Sequence, residues 1–427
     1  MQNYVNWFRT AAPYINAHKG KTVVLAFGGD VAAAEGFAAI VHDIAILATL
    51  GVRLVLVHGT PTAVEAALAD PGIGSGPARG RRITTGEEID RIAGSAGLLR
   101  ARIEALLSMG IANSPMHGAR IRVCGGNFVI AQPLGVHEGS DFGHTGRVRR
   151  IDRDGISAEL ASGNIVLLSP VGYSTTGEIF HLGRDEVAVA AATELGADKL
   201  VLLEESLLCD PEGAALRDLP LRLAQMLVAE NPSPALEAAI QACQGGVERC
   251  HILDHRRDGA LLCELYTRDG VGTMVNRDSY ESIRVAGIED VGGIMELIEP
   301  LERDGTLVRR SRERLELEID CFSVVERDGA IIACAALYAD QPNGSGELAC
   351  VATDPAYRRS GRANRLLEHI EARARGEGLS RLFVLTTRTA HWFVERGFRA
   401  SELGELPAKR RELYNFQRNS QVFIKDI

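Results

Sequence analysis

No stretch of this sequence approaches the ~18 uncharged apolar residues that a bilayer-crossing helix needs, so no membrane span is expected. The N-terminal residues around Trp7-Phe8-Arg9 carry no long apolar core and no cleavage pattern, so no secretory leader is expected either. Basic residues are not in excess: 47 Lys and Arg stand against 56 Asp and Glu, which argues against bulk nucleic-acid binding. None of the eight cysteines forms a CxxC pair. In a chain this large they read as reduced, mostly buried small hydrophobes, and the expected compartment is the cytoplasm. HExxH and Cys/His ligand spacings are absent, and His58, His251 and His255 form no ligand motif, so no metal is expected. GxGxxG and GxxxxGKT are absent as well.

What is present is length enough, at 427 residues, for two or more domains with their own cores. Residues 4–17 read as an aromatic-rich amphipathic helix, kinked or restarted at Pro13, with Tyr4, Trp7, Phe8 and Ala11 along one side. Such a helix needs a surface, either its own domain or another subunit. Lys21–Phe27 is a near-continuous apolar strand followed by Gly28-Gly29-Asp30. A buried-stripe helix over 36–50 leads to a second strand at 54–57, then His58-Gly59-Thr60 and a helix over 62–69. Strand, glycine turn and helix, repeated, imply a parallel sheet covered on both faces. A Gly/Pro/Arg-rich loop spans 70–86 and a helix 87–108, while 128–132 and 146–151 are strands. Further strands fall at 164–169, 199–203 and 247–253, with helices over 185–195, 235–243 and 258–265, and 206–222 reads as irregular.

From Ile283 the pattern changes to a compact α+β unit. A helix spans 289–301, strands at 322–326 and 331–338 flank Asp328-Gly329, and a short last edge strand is expected near 422–424. The central stretch is Gly346–Ala363, GELACVATDPAYRRSGRA. Its first half alternates as a strand, Asp354-Pro355 ends it, and Arg358 to Ala363 runs straight into a helix carrying Leu366, Leu367 and Ile370. A glycine turn on a helix N-terminus leaves backbone N–H groups aimed at a docked anion, and arginines add charge-assisted donors.

Arg358, Gly361 and Ala363 match the Arg/Gln-x-x-Gly-x-Gly/Ala loop of the GNAT acetyltransferase family, in the strand–turn–helix context where that family binds acyl-CoA. Trp392-Phe393-Val394-Glu395-Arg396-Gly397-Phe398 resembles the family's aromatic-x-x-x-Gly-Phe ending. Phe27-Gly28-Gly29, Val57-His58-Gly59 and Ala197–Leu203 resemble the amino acid kinase family. The lysines that kinases use fall here on Ala26 and Ala235, and a polar position falls on Gly183, although Asp185 remains. Phosphoryl transfer depends on cationic clamps, so little or no kinase activity is expected. The fold class implied is α/β: an open, mostly parallel amino acid kinase-like sheet sandwiched by helices, plus a C-terminal α+β acetyltransferase domain. The divisions are a helix at 1–20, a kinase-like regulatory domain at 21–276, a linker at 277–282 and an acetyltransferase domain at 283–427.

The fusion resembles the bacterial N-acetylglutamate synthase family, across nearly the whole chain. Gly125–Gly135, Leu307–Glu313 and Leu413–Ser420 are particularly close. The resemblance implies acetyl transfer from acetyl-CoA to the α-amine of L-glutamate, frequent inhibition by L-arginine, and a homo-oligomer, often a hexamer. Glu347 is the implied base for the substrate ammonium. Backbone N–H groups near Cys350 and Val351 are candidates for the oxyanion site, and Arg358, Arg359, Ser360, Gly361, Arg362 and Ala363 for the pyrophosphate. Thr386, Thr387 and Tyr414 are candidate donors to the departing thiolate. Arg310, Arg388 and Arg418 are candidates for the two substrate carboxylates, because guanidinium forks match them. His251, Glu264, Gly270 and Gly272 are the candidate arginine site. Two alternatives stand beside this reading: a true N-acetylglutamate kinase with an accessory domain, and a non-catalytic arginine sensor.

Overall fold

The computed structural model describes residues 2–60, 83–109, 116–137, 139–210, 212–277, 281–327, 329–358, 361–412 and 420–427. The expected helix over 62–69 and most of the loop over 70–86 lie outside the described residues. The chain divides into two compact units, Met1–Asp278 and Ser279–Ile427.

In the first unit the strands are β1 (Thr22–Phe27), β2 (Arg53–His58), β3 (Val123–Cys124), β4 (Val129–Pro133), β5 (Val136–His137), β6 (Ser140–Asp141), β7 (Gly146–Ile151), β8 (Ile165–Leu168), β9 (Val171–Tyr173), β10 (Ile179–His181), β11 (Lys199–Glu204), β12 (Asp218–Pro220), β13 (Arg249–Asp254) and β14 (Thr273–Asn276). The main sheet runs β12-β14-β13-β11-β1-β2-β8-β3, parallel except where β13 meets β14. Strand β1 shows why its sequence reads as unbroken hydrophobicity. Val24 and Ala26 face one core with helices Arg184–Leu195 and Pro234–Gln244, while Val23, Leu25 and Phe27 face another with helices Phe37–Thr49 and Gly86–Leu107. Both pleat faces are buried, so neither can be polar. A smaller sheet, β10-β9-β4-β7, contains the strands expected at 128–132 and 146–151. The segment read as irregular, 206–222, contains β12 and opens the helix Leu221–Glu230. That helix is capped by Pro220 without a side-chain bond and leaves Leu223 and Met226 exposed, so it lacks the signals that mark a start.

Helix Gln2–His18 is continuous through Pro13. Its C-terminal half packs on the first unit through Ala11, Tyr14 and Ile15, and its N-terminal half exposes Val5, Trp7 and Phe8.

The second unit is one seven-stranded sheet of β15 (Glu281–Val285), β16 (Phe322–Arg327), β17 (Ala330–Asp340), β18 (Ser345–Thr353), β19 (Arg381–Thr386), β20 (Arg399–Ser401) and β21 (Gln421–Asp426). The spatial order is β15-β16-β17-β18-β19-β21-β20, so β21 is an inner strand rather than the expected edge. Helix Arg362–Gly376 covers one face through Leu366, Leu367, Ile370 and Ala374. Helices Val291–Arg303 and Arg312–Leu317 cover the other through Ile294, Ile298 and Leu315. All strand pairs are antiparallel except β18 with β19.

Candidate active site

The parallel pair β18–β19 holds together only from Ser345 to Glu347, opposite Arg381 to Phe383. Beyond that point β18 follows β17 to Thr353 and β19 follows β21 to Thr386. The sheet therefore forks, and Glu347 is the last paired residue at the vertex. Two strand edges facing each other across a gap present backbone groups to whatever extended, amide-bearing chain lies between them.

Just above the vertex, β18 bulges. Ala336 pairs with Ala349 and Cys334 with Ala352, so Cys350 and Val351 together oppose Ala335. Cys350 has φ 53°, in the left-handed region that a β-carbon disfavours. The bulge reverses the strand's facing: Leu348 lies in the core under helix Arg362–Gly376, whereas Cys350 and Ala352 lie in the opposite core. A regular strand would put Leu348 and Cys350 on the same side. Such a break turns backbone groups out of the ladder, beside the residue at the vertex.

Glu347 is half-buried and forms a two-pronged ion pair with Arg410, Nε to Oε2 at 2.7 Å and Nη2 to Oε1 at 2.8 Å. Arg410 lies on the short helix Ala408–Glu412 and was missed by sequence reasoning. Nothing in a run of basic residues marks which one folds back onto a distant strand. Arg310 is half-buried; its backbone N–H donates to Glu302 Oε1 at 2.9 Å, and it lines a cavity of ≈ 350 Å³ with Met295, Glu299 and Arg309. Tyr338, opposite Glu347 in the ladder, donates its hydroxyl to Glu318 at 2.6 Å.

The turn into helix Arg362–Gly376 is built as expected at Gly361, which has φ 76° and caps the helix with no side-chain bond. A left-handed N-cap of this kind requires glycine and leaves the first-turn N–H groups to an incoming anion. Arg358 is exposed, with its Nε 3.4 Å from Thr353 O, and Ala363 is half-buried in the first turn. The Arg362 side chain meets Glu281, because a buried carboxylate there demands a cation. Arg359 and Ser360 lie outside the described residues. The family-type ending is assembled by packing: Phe393 meets Phe398 edge-on at 5.3 Å, and Arg396 stacks on Trp392 at 4.2 Å and bonds Asn364 of the same helix start.

Two further candidates are engaged within the protein. The Thr386 hydroxyl accepts from the Arg388 and Thr389 N–H groups at 3.4 and 3.2 Å and meets the Thr389 hydroxyl at 2.9 Å. It caps the turn into helix Ala390–Val394. Arg388 is exposed and reaches Asp304 at 3.2 Å, satisfying a loop carboxylate. Thr387 is exposed, while Tyr414 and Arg418 lie outside the described residues.

In the first unit, His251, Glu264, Gly270 and Gly272 converge. Glu264, almost fully buried, takes His251 Nδ1 at 2.6 Å and the N–H groups of Val271 and Gly272 at 2.6 and 2.8 Å. Burial alone would raise its carboxyl, but those donors outweigh it and hold the group at about 2. Burial and the nearby Lys199 ammonium lower His251, so the ring is neutral at pH 7, and the bond to Glu264 assigns the proton to Nδ1. Its Nε2 then faces Lys199 Nζ at 3.4 Å. A Cβ at Gly270 would sit 2.4 Å from Glu264 Oε2, so only glycine leaves the carboxylate its place. Lys199 was missed as a site residue, although a lysine heading an apolar strand is a readable signal. His18, at the end of the first helix, meets Tyr266 edge-on at 5.7 Å, and burial lowers it to about 4.

The glycine turns after β1 and β2 surround Arg184 instead of a ligand cation from β1. Cβ atoms at Gly28 and Gly59 would touch its side chain at 3.7 and 3.6 Å. Arg184 is tied to Asp185 at 2.7 Å and Glu204 at 2.6 Å. Ala26 and Ala235 are buried, and the acid that remained in the sequence is occupied by its neighbour. His58, expected as a turn residue, is a buried strand end whose ring lies 2.8 Å from Ser169 Oγ.

Among the described residues no group of acidic, histidine and cysteine side chains forms a metal cluster, and no helix is long and apolar enough to cross a membrane. The amino acid kinase family model matches residues 21–254, and the acetyltransferase (GNAT) family model matches 293–398. An amino-acid acetyltransferase of Pseudomonas putida is 55% identical over 432 residues, covering 100% of both chains. One from Pseudomonas aeruginosa strain LESB58 is 54% identical over 433 residues, again covering 100% of both. The crystal structure of N-acetylglutamate synthase from Neisseria gonorrhoeae complexed with coenzyme A and L-arginine has a TM-score of 0.88 at 37% identity, covering 99% of each chain. The same enzyme complexed with coenzyme A and N-acetyl-glutamate gives 0.63 at 38% identity and the same coverage. With a forked sheet in the unit that matches the acetyltransferase model, a parallel sheet in the unit that matches the amino acid kinase model and full-length relatives of this identity, the chain belongs to the amino-acid acetyltransferase family, the N-acetylglutamate synthases.

Proposed function

We propose that the protein transfers the acetyl group of acetyl-CoA to the α-amine of L-glutamate, the first step of arginine biosynthesis. The observation that carries this is the fork at Glu347, with the bulge at Cys350 and the glycine-capped helix at Gly361 on the same strand–turn–helix segment. The pantetheine arm lies between the β18 and β19 edges, and the pyrophosphate lies on the first-turn N–H groups at Gly361. Glu347 accepts a proton from the substrate ammonium, directly or through a water, once Arg410 yields the carboxylate. The freed lone pair attacks the thioester carbonyl, and the oxyanion is met by N–H groups of the bulge. Collapse expels the CoA thiolate, and the second proton shed by the attacking nitrogen, cationic after attack, neutralises it directly or through water. Arg310 serves a substrate carboxylate.

L-Arginine acts at the kinase-like unit, where the cluster supplies one buried carboxylate, Glu264, held by His251 and by the N–H groups of Val271 and Gly272. The exposed Trp7 and Phe8 of the first helix support a homo-oligomer, with a hexamer as its state, and the compartment is the cytoplasm. Arg184, locked between Asp185 and Glu204 among the glycine turns, supports the absence of phosphoryl transfer there. CoA release is the test. It should require both acetyl-CoA and L-glutamate and fall when L-arginine is added; glutamate-independent release would overturn the assignment.

A further inference from the structure

Glu281 is the first residue of β15 and only 5% exposed. A carboxylate at that depth is tolerated where cations answer it. Arg327, its partner across the ladder on β16, approaches to 3.3 Å, Arg365 to 3.5 Å, and Arg362 donates from Nε at 2.7 Å. Arg362 and Arg327 also lie over the ring of Tyr357, at 5.1 and 5.7 Å. Tyr357 is buried in the turn before Gly361, and Arg362 is the first helical residue after it. On one side of Gly361, Arg362 is bonded to this carboxylate directly; on the other, Tyr357 lies under the two arginines that the carboxylate holds.

Resting on the acetyl-CoA reading above, we propose that Glu281 is a positioning residue for the acyl donor. Acting through Arg362 and Tyr357, it fixes the direction in which the first-turn N–H groups of helix Arg362–Gly376 point. Anion binding by backbone N–H groups depends on their mutual aim, so a slackened turn loses affinity without losing any ligand-contacting side chain. Electrostatics alone argues the opposite sign. Deleting a negative charge beside a phosphate site would tighten anion binding. The two accounts therefore separate cleanly.

The test uses the full-length protein, with Glu281→Gln removing the charge at constant shape and Glu281→Asp keeping the charge on a shorter arm. Positioning predicts that Glu281→Gln weakens calorimetric CoA binding and raises KM for acetyl-CoA by about tenfold, with Glu281→Asp shifted the same way by less. KM for L-glutamate and kcat at saturating acetyl-CoA should move far less. Unchanged or tightened CoA binding in Glu281→Gln overturns the proposal, as does a fall of kcat with a rise of both KM values that tracks a lowered melting temperature. If Glu281→Gln does not fold, the affinity of Glu281→Asp decides alone: a wild-type value overturns the proposal. Wild-type protein that binds no CoA would sink the acetyl-CoA reading itself, whereas normal wild-type binding with unaltered variants sinks only the role of Glu281.

Discussion

Replacing Glu347 by Gln removes the proposed base while keeping its shape. Loss of a general base costs roughly 10²–10⁴ in rate, or about 3–5 kcal/mol of transition-state stabilisation. The stability cost is far smaller. Glu347 and Arg410 are 14% and 31% exposed, so water reaches the guanidinium, and Gln retains one acceptor for it. About 1 kcal/mol is expected from that half-exposed pair. The fork and the Gly361 turn are untouched, so CoA binding should persist. The assay is glutamate-dependent loss of the thioester ultraviolet absorbance, followed over pH, with CoA affinity measured by calorimetry on the same samples. A kcat that falls by orders of magnitude with CoA affinity preserved is the expected outcome. A kcat within about threefold of wild type at every pH would refute the assignment, since no base contributes so little. A fall in CoA affinity matching the fall in rate would place the effect in binding instead.

Glu264 sits at about 2 against an ordinary 4.5, so its stabilisation is complete above pH 4.5 and is lost as the pH falls towards 2. The difference amounts to about 3 kcal/mol for a group this buried. Glu264→Gln should flatten the acid limb of the kinase-like unit's stability curve and relieve inhibition by L-arginine; unchanged inhibition would move the regulatory site elsewhere. Thr386→Val should cost about 1 kcal/mol, as loss of a capping hydroxyl does, while Thr386→Ser should restore it. A large fall in kcat at wild-type melting temperature would return Thr386 to the chemistry.

Most of the elements were legible in the sequence, because their causes are local. The buried runs at β1 and β11 need helices on both faces, and the arginine–glycine turn before Leu366 can open only a helix whose N–H groups face outward. The alanines at 26 and 235, where the resemblance to the amino acid kinases implies lysines, were legible too, since a missing cation needs no geometry to be missed. Pairings across the chain were not legible. Arg410 reaching Glu347, Arg362 turning to Glu281, and Lys199 meeting His251 join residues that no spacing connects. Thr386 reads as a free hydroxyl until the backbone turns at Thr389 and uses it. Strand β21 reads as an edge because nothing in its composition says that β20 lies outside it. The bulge is the sharpest case. Alternation assigns Leu348 and Cys350 to one face, and a single extra residue opposite Ala335 reverses them. Side-chain period and helix start belong to the chain, but which charges meet and where a sheet forks are decided only when distant strands take register.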